Sequence, residues 1–200
     1  MRAGAYALKG LRVRILREGH IVREGGKVVD ASSTVTLIES GPQFIVVDTG
    51  SIAELEGLKR AVKGASLRPD CVDTVANTHL HMDHCGGNDL FRKAVFKAHG
   101  LENPPLGTVR VNEGDMMADK VSVMETPGHT AGSVTILVEA ERRYAICGDA
   151  LPTKADYDAR MPPAVHVDRH LAIQSMNRIL TWADVVIPGH DAPFDVVRKK

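Results

Sequence analysis

Thr78-His79-Leu80-His81-Met82-Asp83-His84-Cys85-Gly86-Gly87 sets four potential metal ligands, His79, His81, Asp83 and His84, close together at the end of an apolar segment. The preceding residues, Val72 to Asn77, read as a strand, so the ligands fall where strand gives way to loop. At such a change His79 and His81, two positions apart, can point the same way. Asp83 and His84 lie on the following turn and can converge on a second point nearby. Imidazole and carboxylate suit zinc, iron or manganese, whereas magnesium and calcium want more oxygens.

Three later residues share one setting. His129 follows Thr126-Pro127-Gly128, Asp149 follows Cys147-Gly148, and His190 follows Pro188-Gly189, each at the end of a candidate strand. Polar ligands at strand ends, beside glycines that permit unusual backbone geometry, turn a sheet edge into a site.

The rest of the chain supplies the sheets. Leu11 to Ile15 and Thr34 to Leu37 alternate as half-buried strands, and Gly25-Gly26 marks a turn. Phe44 to Val47 is a continuous apolar run suited to a strand buried on both faces. Ser51 with Glu54 forms a candidate capping box for a helix to about Val62, with Ile52, Leu55, Leu58 and Val62 facing the core. Further strands are expected at Ala94 to Ala98, Thr108 to Val111, Lys120 to Glu125, Ser133 to Val138, Arg143 to Cys147, Val185 to Ile187 and Phe194 to Val197. Leu151 to Val167 breaks every pattern and reads as a long proline-rich loop. Asp168 is placed to cap a helix through Trp182. Residues 1–200 therefore read as one α/β domain with many strands and few helices.

Composition excludes other classes. Lys and Arg number 25 against 25 Asp and Glu, so no global field draws the chain to nucleic acid or acidic lipid. A hydrophobic fraction of 44% is that of a folded core. No apolar run approaches the ~20 residues that span a bilayer, and charge interrupts every apolar stretch near the N-terminus. Cys71, Cys85 and Cys147 are an odd count without CxxC spacing. A cytoplasmic protein with no membrane partner is the expectation.

THLHMDHCGG (78–87), TPGHTAGS (126–133), CGDA (147–150) and PGHD (188–191), with VVDTG (46–50) ahead of them, resemble the successive motifs of the metallo-β-lactamase-fold superfamily. That resemblance implies an αββα four-layer sandwich with a metal site at one edge of the sheets. It implies that His79, His81 and His129 bind a first metal, that Asp83, His84 and His190 bind a second, and that Asp149 bridges them. Asp48 would support the metal loops through hydrogen bonds. The implied cofactors are two divalent ions, zinc foremost, with iron or manganese as alternatives. The implied chemistry is hydrolysis by a metal-bridging hydroxide, with Asp83 as the catalytic proton shuttle. Two cations outweigh Asp83, Asp149 and the hydroxide, which favours an anionic or strongly polarised substrate.

HLHMDHCGGN and TPGHTAGS resemble the glyoxalase II and acyl-homoserine lactonase branches, and WADVVIPGHDAPFDVV resembles the C-terminal end of metallo-β-lactamase domain-containing protein 1. A small ester, thioester or lactone is thus the expected substrate. The chain ends ten residues after His190, so the helical extension that binds glutathione in glyoxalase II is not expected. A phosphodiesterase on the same dinuclear site, which keeps nucleic acid among the candidate partners, and a mononuclear iron persulfide dioxygenase stand as alternatives. A homodimer is compatible with this reading. Tyr157, His99 and His166 are candidates to meet substrate, and Asp191 and Asp195 to orient His190. Arg12, Arg14 and Arg17, with Lys199 and Lys200, read as a solvated face or a phosphate strip.

Overall fold

The central strands are buried along nearly their whole length, which places the core on both sides of two sheets. In the computed structural model, which describes residues 10–198, one six-stranded sheet has the order β1 (Arg12–Arg17), β4 (Val35–Ser40), β5 (Gln43–Val47), β6 (Thr74–Ala76), β7 (Val95–His99), β8 (Val109–Val111). Pairing is antiparallel from β1 to β5 and parallel from β5 to β8. The other six-stranded sheet runs β14 (Phe194–Asp195), β13 (Val185–Pro188), β12 (Arg143–Gly148), β11 (Val134–Glu139), β10 (Val121–Glu125), β9 (Met116–Ala118). Only the β12–β13 pair in it is parallel. A separate hairpin joins β2 (His20–Glu24) to β3 (Lys27–Ser32) through Gly25-Gly26.

Alternate residues of each central strand face opposite layers. Ile38, Ile45, Val47 and Ala76 of the first sheet meet Val123, Ile136, Val138, Ile146 and Ile187 of the second. Their neighbours Leu37, Val46 and Val75 pack outward with Leu58 and Val62 of α1 (Leu55–Gly64). On the far side Leu137, Ala145 and Val186 pack with Met176, Ile179 and Leu180 of α4 (Arg169–Trp182). The result is a helix–sheet–sheet–helix sandwich, as expected. Each fully buried Val, Leu or Ile contributes roughly 1.5–3 kcal/mol by leaving water. No helix among the described residues is long and apolar enough to cross a membrane.

Three local expectations are corrected. Ile52–Glu54 forms a 3-10 turn and the α-helix begins only at Leu55, without a side-chain cap from Ser51. The Glu54 carboxylate is committed to Arg17, so it cannot complete a capping box, and Ile52 is 59% exposed rather than core. Within the long loop a short helix, α3 (Lys154–Ala159), is capped by Thr153 Oγ1 accepting from Asp156 N and stops at left-handed Arg160. Six residues are too few to show helical periodicity. Of the two readings of the N-terminal arginines the phosphate strip is the one that changes, since Arg14 and Arg17 face Glu39 and Glu54, while Arg12 and Arg14 are exposed as on a solvated face; Lys199 and Lys200 lie outside the described residues.

Candidate metal centre

The ligand-bearing segments all leave the sheets on the same side. Past β6, Asn77 and Thr78 lead to His79 and His81, and a single helical turn, α2 (Met82–Cys85), carries Asp83 and His84. His129 sits in the β10–β11 connection, Asp149 just past β12 and His190 just past β13. His79 and His84 are fully buried, and His129, Asp149 and His190 nearly so. Donor atoms of His79, His81 and His129 lie within 4.8 Å of one another, and the same holds for Asp83, His84 and His190, and for His79, His84 and Asp149. All seven residues singled out in the sequence thus come together.

Glycine makes the approach feasible at two of these ends. A Cβ on Gly189 would sit 2.2 Å from Asp149 Oδ1, and one on Gly128, whose φ is +137°, would sit 2.3 Å from Ala172 N. At Gly189 the requirement is space, not a left-handed backbone.

Hydrogen bonds fix which ring nitrogens face inward. A carboxylate or carbonyl oxygen only accepts, so His84 Nδ1 donates to Asp48 Oδ2 at 2.8 Å, His129 Nδ1 to Val165 O at 2.7 Å and His190 Nδ1 to Ser32 O at 3.1 Å. Each ring then turns its Nε2 toward the cluster. His84 Nε2 and His190 Nε2 stand 3.4 Å apart, and His129 Nε2 stands 3.0 Å from His81 Nδ1. Facing lone pairs at such separations repel unless a proton or cation lies among them. His79 Nε2 is buried with no hydrogen-bond partner, and so is Asp149 Oδ1. Orphaned buried acceptors of this kind, in an imidazole and carboxylate set, fit divalent metal ions.

The carboxylates and imidazoles of the cluster also perturb one another. Burial opposes a charge on His84, yet Asp48 and Asp149 outweigh it and hold the ring well above the usual histidine range. Burial likewise opposes ionisation of Asp149, but His84 and His190 keep its carboxyl well below the ordinary carboxylate range. Asp149 Oδ1 is 3.3 Å from His84 Nε2 and 3.1 Å from His190 Nε2, while Oδ2 is 3.5 Å from His129 Nε2. It lies between the two groups. Burial, first among the causes, pushes the pKa values of His79 and His129 down.

Asp48 organises these loops from behind. Its φ of +54° is left-handed, a strained conformation for a non-glycine residue. The carboxylate accepts from Thr78 N and Thr78 Oγ1 as well as from His84. Glu102, which the sequence reading missed, does a similar job. It accepts from Leu80 N at 3.0 Å, between His79 and His81, and from Thr130 Oγ1 at 2.6 Å and Gly132 N at 3.0 Å, beside His129. No motif surrounds it, so nothing in the sequence marks it.

Other candidates are placed elsewhere. Tyr157 is buried against Phe194 in the α4 layer, and its hydroxyl accepts from Val197 N, so it does not reach over the cluster. His99 is held by Leu101 N and Glu125. His166 is exposed, its Nδ1 donating to Pro163 O, and neither it nor His99 lines the cleft. His190 is oriented by the Ser32 carbonyl, not by Asp191 or Asp195, which meet Lys154 N and Arg142 respectively.

The donors open into a cleft of about 460 Å³. His81, Asp83, His129, Asp149 and His190, with Arg23, form its polar part, while Ile21, Val28, Ala31, Pro163, Ala164 and Val165 make most of the remaining wall.

A sandwich of this topology with clustered histidines and aspartates at its edge defines a metal-dependent hydrolase class, and the comparisons agree: residues 28–106 match the metallo-beta-lactamase superfamily profile. The chain belongs to that superfamily. It is 36% identical to a Methanocaldococcus jannaschii protein named as a metallo-hydrolase, over 90% of this chain and 87% of the relative. It is 30% identical to metallo-beta-lactamase domain-containing protein 1 of Xenopus laevis, over 93% of this chain and 82% of the relative. An N-acyl homoserine lactonase from a Bacillus species is 26% identical over 83% of this chain and 84% of its own length. The fold is shared with a Thermotoga maritima protein assigned as a metallo-beta-lactamase, at a TM-score of 0.79 and 23% identity over 94% of this chain and all of that one.

Proposed function

We propose that this enzyme hydrolyses a small ester, thioester or lactone at a dinuclear centre, with zinc as the metal and iron or manganese as the alternatives. His79, His81 and His129 would hold one ion, Asp83, His84 and His190 the other, with Asp149 between. Divalent ions there supply Lewis acidity to a carbonyl oxygen and lower the pKa of water. The protein's own part is to orient and to move protons. Asp48, Val165 O and Ser32 O hold three rings with Nε2 inward. Asp83, the least buried carboxylate of the cluster, lines the cleft with its Oδ2 3.5 Å from His190 Nε2, and is the carboxylate that takes up and returns a proton.

The observation that carries the substrate class is the wall of the cleft. Its apolar part suits a short acyl body, and a polynucleotide would want a basic, aromatic-studded groove. The lactonase relative is consistent with carbonyl chemistry. All three cysteines are free, which suits the reducing cytoplasm.

Metal analysis and a substrate panel test this reading. Two zinc ions per chain, turnover of esters, lactones or thioesters, and loss of that turnover on chelation are expected. Turnover of bis-p-nitrophenyl phosphate alone, or one iron per chain with oxygen uptake on a persulfide, would replace it.

A further inference from the structure

The β2–β3 hairpin borders the cleft, and the chemistry above uses only its root. That root is tied to the ligand loops. Ser33 N donates to Asp83 O at 2.8 Å, Ser32 O receives His190 Nδ1, and Ser32 Oγ accepts from Ser51 N at 3.0 Å. Beyond the root, Ile21, Arg23, Val28 and Ala31 line the cleft. Arg23 is the only lysine or arginine among the described residues that do so.

Some arginines elsewhere meet carboxylates, as Arg17 meets Glu54, Arg143 meets Asp184 and Arg178 meets Glu113, and others, such as Arg160 over the Tyr157 ring, do not. Among the described residues no carboxylate pairs with Arg23. Asp30, on the facing strand, is bonded to His20 at 2.9 Å, and the cleft's own acids, Asp83 and Asp149, face the imidazoles of His84 and His190. The cleft therefore offers a guanidinium that lacks a protein counter-charge, next to an apolar wall.

We infer that Arg23 is an anion-recognition residue, and that the substrate is a small acyl compound carrying a carboxylate at a distance from the bond that is cleaved. This rests on the hydrolase reading of the same site and adds its substrate class. The spacing follows from the hairpin register. His20 pairs with Ser32 and Arg23 with Val28, so Arg23 stands three residues beyond the root, roughly 10 Å along the strand. An arginine reaching back from there meets a charge separated from the metal-ligand donors by a few carbon atoms. Ile21, Val28 and Val165 accommodate those carbons. The guanidinium fork matches a carboxylate with two parallel N–H donors and is less strongly hydrated than an ammonium. A neutral acyl lactone would leave Arg23 unused.

Zinc-loaded wild type, Arg23→Gln, Arg23→Lys and Arg23→Glu, matched for metal content, test this. Calorimetry compares glutaramate, which carries the carboxylate, with pentanamide, which does not. Kinetics compare the glutaryl and pentanoyl thioesters of N-acetylcysteamine. The wild type should prefer the charged member by about tenfold in both assays, Arg23→Gln should erase that preference, Arg23→Lys should keep part of it and Arg23→Glu should reverse it. Because a carboxylate can also touch the metals, the dependence on residue 23 is the deciding quantity. A preference unchanged in Arg23→Gln, or no preference or binding in the wild type, overturns the inference. If the binding preference depends on Arg23 but neither thioester is turned over, the anion subsite stands and thioesters drop out of the proposed substrates.

Discussion

Glu102 is one side chain in a short 3-10 turn, yet it joins the loop of His79 and His81 to the loop of His129. Replacing it with alanine removes the acceptor for two backbone N–H groups and a threonine hydroxyl, and frees the two loops to drift apart. Glu102→Ala should weaken zinc binding by about 10–100-fold, as loss of groups that orient ligands does elsewhere. Competition against a chelating indicator measures this, and an unchanged affinity would refute the role. The histidines and aspartates of the cluster were legible because ligand chemistry restricts residue type. The groups that aim them were less so. Asp48 was expected from its motif, but Ser32 and Val165 act through backbone carbonyls, which any residue provides. Asp191 and Asp195 were near His190 only in sequence; the chain turns their carboxylates to Lys154 N and Arg142.

Among the elements, β12 and β13 are joined at their starts by a charged clasp. Arg143 donates to Asp184 through its backbone N, Nε and Nη2, the last at 2.8 Å, and Arg198 adds a contact at 3.1 Å. These donors, Arg143 first, hold the Asp184 carboxyl well below its ordinary value of 3.8. A lowered folded-state pKa means that the contribution is present above the unfolded value and is lost as pH falls toward the folded one. Both partners are partly exposed, so the effect is modest. Asp184→Asn should melt about 2–4 °C below wild type at pH 7, with the gap closing below about pH 4. Melting curves across that range check it, and a gap that widens in acid would contradict it. Strands were readable from alternation and apolar runs, since burial on one or both faces leaves a plain period. The short α3 and the delayed start of α1 were not, because a few residues carry no period and because Glu54 answers to Arg17 on a distant strand.

At the level of the whole molecule, the candidate ligands come from both sheets: His79 and its neighbours follow β6 of one, while Asp149 and His190 follow β12 and β13 of the other. A cation that binds only the folded arrangement stabilises it by mass action, by about 4 kcal/mol at a thousandfold excess over Kd. Chelation should therefore lower Tm by roughly 10 °C, with recovery on adding zinc. An unchanged Tm would argue against metal ions bound across the layers. The four-layer architecture itself was foreseeable from the family motifs together with the strand pattern, whereas the overhanging hairpin and its arginine were not. Gly25-Gly26 announced a turn, but where a turn swings in space depends on what its feet hold.

Those feet hold a good deal. Because the base of the hairpin is bonded to the Asp83 backbone and the His190 ring, a shift of the flap would strain both of those bonds. A compound seated against the rim is therefore expected to change how the candidate ligands beneath it are aligned.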